Sequence, residues 1–542
     1  MPPPTEKNIS HESVQGQGRS FHESLLAMLG LFFVIMMVGL DQTVVSTALP
    51  TVVAELKGFN LYAWVATSYL LASVITVPIF GRLGDYFGRK YFVAASILVF
   101  TLASALCGMA GSMLYLVLAR ALQGIGGGML VGTAFASVPD LFPDPRVRLR
   151  WQVMISSGFG IASAVGPSLG GFLVEYAGWR SVFYVNLPIG LLSLYFVWRH
   201  MPHIRNQTHA GPMKLDWPGA LLIALSLGSL QLFVELLPGH GFNTGMALLA
   251  AIGTAAFVGL YLREKRAANP ILPFEMFRNP ALAALFTLAG LLGFVMFALL
   301  LYMPLMLQGG FGLSPRDAGL IITPLAVCIT LGSISNARLL PRFSKPSNIM
   351  YIGLVLVMAS TIGITNLQQT TAPWVMVVCM IGSGIGLGFV LPNLTIFAQE
   401  SAGRIYLGIA TAMIQSLRMV GSMLGGALVG TLVNYSYTSR VKEALDAEQA
   451  SQWLPWLDDP QVLVNKVAQA RLLEQIQAAG QQGEVLIDAA RQALVSSVHL
   501  GQWLSVAVAV IALWQLRRLP PLQLRRRDEG EGGKTGEAPL QE

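Results

Sequence analysis

Fourteen long apolar runs restrict this chain to a membrane-spanning fold. A helix of about 20 apolar residues is long enough to cross the hydrocarbon core of a bilayer. Only 12% of the 542 residues are charged, against about 25% in soluble domains. The sequence therefore predicts an all-α polytopic membrane protein with fourteen transmembrane helices, near residues 25–47, 61–80, 91–110, 113–137, 152–176, 181–198, 217–237, 244–262, 281–307, 318–337, 349–366, 373–397, 407–433 and 500–516.

The basic residues are distributed unevenly between the two sides of this predicted membrane protein. Most Lys and Arg residues fall in the termini and in the loops that share a side with them. Basic loops remain in the cytoplasm, so we expect both termini to be cytoplasmic. The same distribution accounts for the net charge of +7 without a nucleic-acid partner.

An internal repeat divides the chain into two halves. Residues 337–346 are a degenerate copy of residues 81–90, and residues 420–426 match residues 165–171 at nearly the same separation. We infer a duplicated six-helix unit with two further helices between the copies. The predicted segments are a cytoplasmic tail (1–24), a six-helix bundle (25–200), two additional helices with their loops (201–280), a second six-helix bundle (281–516) and a cytoplasmic tail (517–542).

One long connection, residues 435–499, interrupts the second predicted bundle on the extracytoplasmic side. Its sequence has helical apolar spacing over 438–453, 462–479 and 484–498. Two interpretations remain open, a solvated helical insert and a docking or gating element outside the membrane.

A short charged stretch, residues 81–90, separates two of the apolar runs. On charge alone, an ordinary basic cytoplasmic loop would explain it. The spacing of its glycines around a single aspartate, however, resembles the signature between helices 2 and 3 of the major facilitator superfamily of transporters. The resemblance implies a major facilitator fold in which Asp85 and Arg89 act as a cytoplasmic latch between the bundles. The residues that carry the motif are Gly81, Arg82, Asp85, Gly88, Arg89 and Lys90.

Among the charged residues inside predicted spans, three stand out: Asp41, Arg120 and Arg418. A charge within a bilayer is expensive, so each is a functional candidate. Counting along their helices places Asp41 and Arg120 at similar depth in the outer half of the membrane, where they could pair or share a cavity. The repeat puts apolar residues at their counterparts, near Val378 and within 291–301. A purely structural ion pair remains the alternative.

Small residues recur along one face of the fifth predicted helix. They permit close approach of a neighbouring backbone, and a proline among them is expected to bend the helix. A plain packing interface would explain the small residues equally well. The string also resembles the motif associated with antiporters of the superfamily, carried here by Gly158, Ala162, Gly166, Pro167, Gly170 and Gly171.

Further motifs resemble the fourteen-helix drug:proton antiporter branch of the superfamily, the EmrB/QacA type. They are Gly39-Leu40-Asp41-x-Thr43-Val44, Arg120-Ala121-Leu122-Gln123-Gly124 and Trp179-Arg180-x-x-Phe183-x-x-Asn186-x-Pro188-x-Gly190. The resemblance implies Asp41 as a proton site and Arg120 as its modulator. Glu235 and Glu175 are the next acids to consider.

This resemblance implies a proton-coupled multidrug-type efflux pump of a bacterial inner membrane. Such a pump exports lipophilic or amphipathic small molecules by alternating access, with protons and membrane lipid as its other partners. Whether a periplasmic adaptor takes part stays open. A facilitator or lipid flippase on the same fold is the alternative within transport.

An enzyme embedded in the membrane is the alternative from another class. It would require a nucleophile, a metal set or an acid pair facing a cavity, and the sequence offers none of these patterns. No nucleotide-binding loop and no regular metal-ligand spacing is present, so we expect neither a cofactor nor a metal site.

Overall fold

The computed structural model describes residues 21–519 apart from 57–60, 143–144, 204–215, 268–269, 273, 344, 404–405, 459 and 465. Most of both predicted cytoplasmic tails and most of the connection after residue 203 lie outside the described residues. The side chains of Pro167 and Glu235 also lie outside them. The regular structure of the described part is helical throughout.

All fourteen predicted spans correspond to helices. Thirteen helical segments of the described part are long and apolar enough to cross a membrane. The remaining predicted span, 152–176, lies within a helix of 33 residues, which at about 1.5 Å per residue is longer than a bilayer core. The predicted all-α fold with fourteen membrane-spanning helices is therefore confirmed.

The first bundle contains seven helical elements of the described chain. They are α1 (Phe21–Leu56), α2 (Tyr62–Phe87), α3 (Arg89–Gly108), α4 (Met113–Leu141), α5 (Pro145–Ala177), the one-turn α6 (Ser181–Tyr184) and α7 (Asn186–His200). Helix α1 packs on α5 and α7, while α4 packs on α2 and α3. Their contacts bury two clusters of apolar side chains in this half of the protein.

Two helices separate the bundles. They are α8 (Trp217–His240) and α9 (Thr244–Glu264), which pack on each other. Helix α8 also contacts α2 and the long helix Leu407–Ala447 of the second bundle. A side chain caps the start of each of the two helices. Asp216 accepts a hydrogen bond from the backbone amide of Gly219, and Asn243 accepts one from the backbone amide of Met246.

The second bundle repeats the pairing of the first. Its first five helices are α10 (Pro280–Leu305), α11 (Pro315–Leu339), α12 (Ser347–Ile364), α13 (Pro373–Ala402) and α14 (Leu407–Ala447). Helix α10 packs on α14 as α1 packs on α5, and α13 packs on α11 and α12 as α4 packs on α2 and α3. The duplication inferred from the sequence is therefore visible in the helix pairs.

Glycine contacts fix the register between the two copies. A Cβ atom on Gly128 would collide with the carbonyl oxygen of Ser73, and one on Gly388 would collide with the carbonyl oxygen of Ile329. Ile329 follows Ser73 by 256 positions, the separation of the two copies of the charged motif, whereas Gly388 follows Gly128 by 260 positions. Equivalent residues of α4 and α13 can therefore be assigned from contacts rather than from loop lengths.

Continuous helices carry the chain out of the predicted spans into the 435–499 segment. Helix α14 runs on to Ala447, and the last long helix begins at Gly483, well before the span predicted at 500–516. Between them lie α15 (Leu454–Leu457), α16 (Gln461–Val464) and α17 (Lys466–Ala478), followed by α18 (Gly483–Leu516). The apolar character ends at the predicted positions, but the helices continue, so the segment is rooted in two rigid membrane helices.

Side-chain hydrogen bonds hold this helical segment together. The Tyr437 hydroxyl on α14 donates to the carbonyl oxygen of Leu457 at 2.8 Å. The indole nitrogen of Trp453 donates to the side-chain oxygen of Gln481, just before α18, at 2.6 Å. These bonds connect the short helices to both long ones.

Candidate functional site

Asp41 lies on α1 in the interior of the first bundle, with 1% of its surface exposed. One carboxylate oxygen accepts a hydrogen bond from Arg120 at 2.6 Å. The other accepts from the side-chain amides of Gln123 at 2.7 Å and Asn186 at 3.1 Å. All three partners are donors, so this arrangement gives both carboxylate oxygens a hydrogen bond.

Arg120 reaches Asp41 from α4 and is itself 3% exposed. Its Nε donates to the carbonyl oxygen of Val65 at 3.2 Å. Its guanidinium carbon lies 4.4 Å from the ring centroid of Tyr69, a cation–π distance. The structure thus brings together the two charges that the sequence placed at similar depth.

Three neutral side chains complete the network around the ion pair. The Gln123 oxygen accepts a second bond from Arg120 at 2.7 Å, and its amide nitrogen donates to Ser104 at 2.7 Å. The Asn186 amide lies 3.3 Å from the same Ser104 hydroxyl. Helices α1, α3, α4 and α7 are therefore joined through one polar cluster.

The sequence analysis quoted Gln123 and Asn186 within motifs but assigned them no role. Gln123 follows Arg120 by three residues, which places both on one face of α4, and that spacing was the available signal. Asn186 is 145 positions from Asp41 in the sequence, so only the folded structure relates them.

Apolar residues occupy the same positions in the second bundle. The contact register places Met380 where the first bundle has Arg120, two residues after the predicted position near Val378. On the first helix of each bundle, a Cβ atom on Gly39 would lie against the carbonyl oxygen of Phe159, and one on Gly293 would collide with the carbonyl oxygen of Arg418.

With residues 420–426 aligned to residues 165–171, that second register gives Leu291 as the counterpart of Asp41, the first residue of the predicted range 291–301. Leu291 and Met380 are both apolar, so the second bundle has no ion pair at these positions.

Asp85 lies in the last turn of α2 and forms hydrogen bonds with the second bundle. Its two carboxylate oxygens accept hydrogen bonds from the backbone amides of Gly408 and Ile409, at 3.0 and 2.9 Å. These amides belong to the first turn of α14, where a helix has unpaired donors and a partial positive charge. Asp85 therefore caps a helix of the opposite bundle.

Arg89 supports Asp85 from the first turn of α3. Its guanidinium contacts Asp85 and Asp140, each at 2.6 Å. The backbone reverses between α2 and α3 at Gly88, whose φ of 89° is a conformation that favours glycine. Asp140, at the end of α4, was not singled out in the sequence.

The other residues of the motif surround this contact. The Arg82 Nε donates to the carbonyl of Pro270, in the connection between the bundles, at 3.1 Å, and its guanidinium carbon lies 5.1 Å from the Tyr406 ring centroid. A Cβ atom on Gly81 would collide with Ala412 of α14. The Lys90 ammonium lies 6.0 Å from the Trp198 ring centroid, within the first bundle.

A second polar contact joins the bundles near the ends of other helices. Arg148, near the start of α5, pairs with Glu400 at 2.8 Å and lies 3.4 Å from the Gln399 oxygen. The Gln399 amide in turn donates to Thr411 of α14 at 3.0 Å. Both predicted bundles therefore meet through charged side chains at one end, and the sequence analysis missed this second contact.

The small-residue face of α5 packs against α1. A Cβ atom on Gly158 would meet Phe32, and one on Gly166 would collide with Thr43. Ala162 lies where a Cβ atom on Gly39 would be, which brings the two helices close beside Asp41. Gly170 is buried, whereas Gly171 is exposed. The helix continues through position 167 without a break.

The remaining candidate acids do not join the Asp41 cluster in the described structure. Glu175 is exposed near the end of α5, and the side chain of Glu235 lies outside the described residues. Arg418 is partly exposed within α14. Among the described residues, no group of three or more His, Cys, Asp or Glu side chains could hold a metal ion.

Comparison with known proteins identifies the family. The family model of the Major Facilitator Superfamily matches residues 31–426. The multidrug transporter protein MdtP of Bacillus subtilis is 31% identical, with 96% of this chain and 98% of that protein covered. The multidrug resistance protein 3 of the same organism is 33% identical over 78% of this chain and 82% of its own length.

Solved structures show the same fold. The human organic anion transporter MFSD10 superposes with a TM-score of 0.60 at 13% identity, covering 90% of this chain and 99% of that one. An inward-facing bacterial homologue of the lysosomal transporter Spinster gives a TM-score of 0.51 at 16% identity, covering 92% and 98%. Helix pairing, motifs and relatives agree that this multi-pass membrane protein is a transporter rather than an enzyme, and that it belongs to the major facilitator superfamily.

Proposed function

We propose that the chain is a proton-coupled antiporter that exports amphipathic small molecules. The observation that carries the proposal is Asp41, a carboxylate buried in the first bundle and held by Arg120, Gln123 and Asn186. A titrating acid inside a transporter is the group that can exchange a proton as the protein alternates between its two sides.

Protonation of Asp41 would change the forces in this cluster. The neutral acid loses its ion pair with Arg120 and the charge that attracts both amides. The cluster joins α1, α3, α4 and α7, so losing these bonds loosens the contacts among these four helices. A proton can thereby shift the balance between conformations.

The polar contacts between the bundles provide the element that alternates. The hydrogen bonds of Asp85 to the first turn of α14 and the ion pair of Arg148 with Glu400 hold the two bundles together at one end. The excess of basic residues on this side supports a cytoplasmic location for it, as for both termini. In this state the cytoplasmic side is closed, and opening it requires both contacts to break.

The relatives support cargo of the multidrug type. MdtP and the multidrug resistance protein 3 are named for such transport, and a tetracenomycin C resistance and export protein of Streptomyces glaucescens is 28% identical over 82% of this chain. We extend their activity to this chain and place it in a bacterial cell membrane. A proton that crosses about 100 mV supplies about 2.3 kcal/mol, and each pH unit adds about 1.4 kcal/mol.

An imposed pH gradient in proteoliposomes tests this proposal. Accumulation of a fluorescent cationic amphiphile such as ethidium, with and without a protonophore, is compared for wild type and Asp41→Asn. We expect gradient-driven accumulation in wild type and none in the variant, because an amide cannot carry the proton. Glu443→Gln, which neutralises an exposed acid on the distal part of α14, is the matched control and should behave as wild type.

Two results would contradict the proposal. Accumulation by Asp41→Asn equal to that of wild type would remove Asp41 from proton coupling. Equilibration of the dye by wild type without response to the gradient would indicate a facilitator instead.

A further inference from the structure

Arg418 is a cation without a counter-ion in the described structure. It lies on α14, 11 residues after the helix begins at Leu407. At about 1.5 Å per residue this is about 16 Å from the helix end, half the thickness of a bilayer core. None of the described side chains forms an ion pair or a hydrogen bond with its guanidinium, in contrast to Arg120, Arg89 and Arg148.

The side of α14 that carries Arg418 packs against other helices and does not face lipid. At about 100° per residue, it shares a side of α14 with Thr411, which bonds to α13, and with Gly425, which packs against Phe294 of α10. The exposed residues Leu428 and Tyr435 lie on another side of the helix. Arg418 nevertheless keeps part of its surface exposed.

Two buried amides with unpaired atoms lie one turn nearer the cytoplasm. The side-chain oxygen of Gln415, three residues before Arg418 on the same side of α14, has no hydrogen-bond partner, and the residue is 2% exposed. Gln152 on α5 is 1% exposed and has neither its nitrogen nor its oxygen paired.

The neighbours of these amides place both at the boundary between the bundles. Gln152 follows Arg148 by one turn and Gln415 follows Thr411 by one turn, and Arg148 and Thr411 are linked through Gln399. Buried polar atoms without partners are destabilising unless a ligand or water satisfies them.

We propose that Arg418, with Gln415 beside it and Gln152 across the bundle boundary, binds the anionic group of an amphipathic cargo molecule. A carboxylate, sulfonate or phenolate matches the guanidinium, which donates two parallel hydrogen bonds. The amides supply neutral donors and acceptors for the polar atoms next to that group. The inference rests on the proposed export function and adds acidic amphiphiles to its cargo.

This assignment separates the two chemical tasks between the bundles. Asp41 in the first bundle handles the proton, whereas Arg418 in the second handles the charge of the cargo. A cargo anion at Arg418 also removes the expense of an unpaired cation within the membrane.

A matched pair of probes tests the site by binding. N-dansyl-phenylalanine carries a carboxylate, and its methyl ester has the same aromatic groups without the charge. Binding to the purified full-length transporter is measured by energy transfer from its tryptophans in dodecyl maltoside. Arg418→Gln removes the charge, Arg418→Lys keeps it without the planar fork, and Arg471→Gln, an exposed arginine on α17, is the control.

We expect wild type to bind the carboxylate about tenfold or more tightly than the ester, from the strength of a charge-assisted hydrogen bond. Arg418→Gln should lose this preference with unchanged ester binding, Arg418→Lys should keep part of it, and Arg471→Gln should keep it fully. A preference that survives Arg418→Gln, or its absence from wild type, overturns the proposal.

Lipid is the other source of an anionic group. Repeating the titration in phosphatidylcholine nanodiscs with added phosphatidylglycerol separates the two sources. A preference unaffected by phosphatidylglycerol supports a cargo site, whereas its abolition assigns Arg418 to a lipid headgroup and overturns the cargo assignment. Gradient-driven uptake of the ester by Arg418→Gln reports on the proposed antiport independently, since that activity can fail while the binding preference remains.

Discussion

The two six-helix bundles share their helix pairing but differ in the chemistry of their interiors. The first joins α1 to α4 by the pair of Asp41 and Arg120, with 0% and 3% of the two side chains exposed. The second has the apolar residues Leu291 and Met380 at these positions, on α10 and α13. Both bundles pack closely, although only one has the charges.

This difference separates what the fold requires from what the function requires. A buried ion pair loses much of its attraction to desolvation, and apolar residues of similar volume are often as stable. The second bundle is an internal example of that apolar solution. We therefore propose that the charges of the first bundle serve a purpose other than holding helices together.

The contact between the bundles is one-sided as well. Asp85 of the first bundle caps α14 of the second. The degenerate copy of its motif has Pro341 at the equivalent position, 256 residues later, which cannot accept a hydrogen bond through its side chain. One bundle thus supplies the acid and the other the helix end.

Replacing the ion pair of the first bundle by the apolar residues of the second tests the comparison through the free energy of unfolding. Arg120→Met alone leaves Asp41 buried without its cation, so we expect a loss of about 3–5 kcal/mol in the free energy of unfolding. The double variant Asp41→Leu, Arg120→Met removes both charges and should recover most of that loss. Thermal unfolding in detergent compares the three proteins. A double variant less stable than Arg120→Met would show that the ion pair is structural.

Loss of the latch should have a smaller effect. Asp85→Asn keeps an acceptor for α14 but removes the charge that interacts with Arg89 and the helix end, each interaction being worth about 1 kcal/mol or more. We expect the cytoplasmic side to open more often and turnover to fall several-fold.

A cysteine placed at Ala412, buried against Gly81 in this state, reports the opening. It should react faster with a thiol reagent from the cytoplasmic side in Asp85→Asn than in its parent, both lacking the native cysteines. Asp488→Asn, an exposed acid on α18, serves as control. Equal labelling in Asp85→Asn and its parent would argue against the latch.

The smallest effect is expected at Glu55, an exposed charge of the first bundle that lies beyond its predicted span. Arg180 contacts it at 2.6 Å and Trp179 donates to it at 2.8 Å. These hydrogen bonds lower the pKa of Glu55 below its usual 4.5. A lowered pKa in the folded state gives stability that is present above pH 4.5 and is lost as the pH falls through the folded value.

Solvent screens this exposed pair, so Glu55→Gln should shift the unfolding midpoint only slightly at pH 7. The difference from wild type should disappear as the pH falls through the lowered pKa of Glu55. A difference that grows on acidification would exclude this interpretation.

The sequence was sufficient for the helices because apolar length is a strong signal. It did not show that the helical runs beginning at residues 438 and 484 are continuous with the predicted spans 407–433 and 500–516, as they are in α14 and α18. Hydropathy reports where a helix leaves lipid, whereas backbone hydrogen bonding decides where it ends. The predicted boundaries of tails and bundles stay predictions.

The site was only partly predictable for a related reason. Asp41 and Arg120 were found because a charge inside an apolar run is conspicuous. Gln123, Ser104 and Asn186 are neutral, and such residues are common in membrane helices without any special role. Their contacts depend on the packing of four helices that the sequence separates by long distances.

Proton movement driven by cargo tests the central claim, that coupling resides in the charged interior of the first bundle. Proteoliposomes that contain a pH-sensitive dye and no membrane potential receive cargo on one side, and the lumenal pH is followed. Wild type should change the lumenal pH as cargo enters, whereas Asp41→Leu, Arg120→Met should move cargo down its gradient without any pH change. A pH change in the double variant equal to that of wild type would contradict the account.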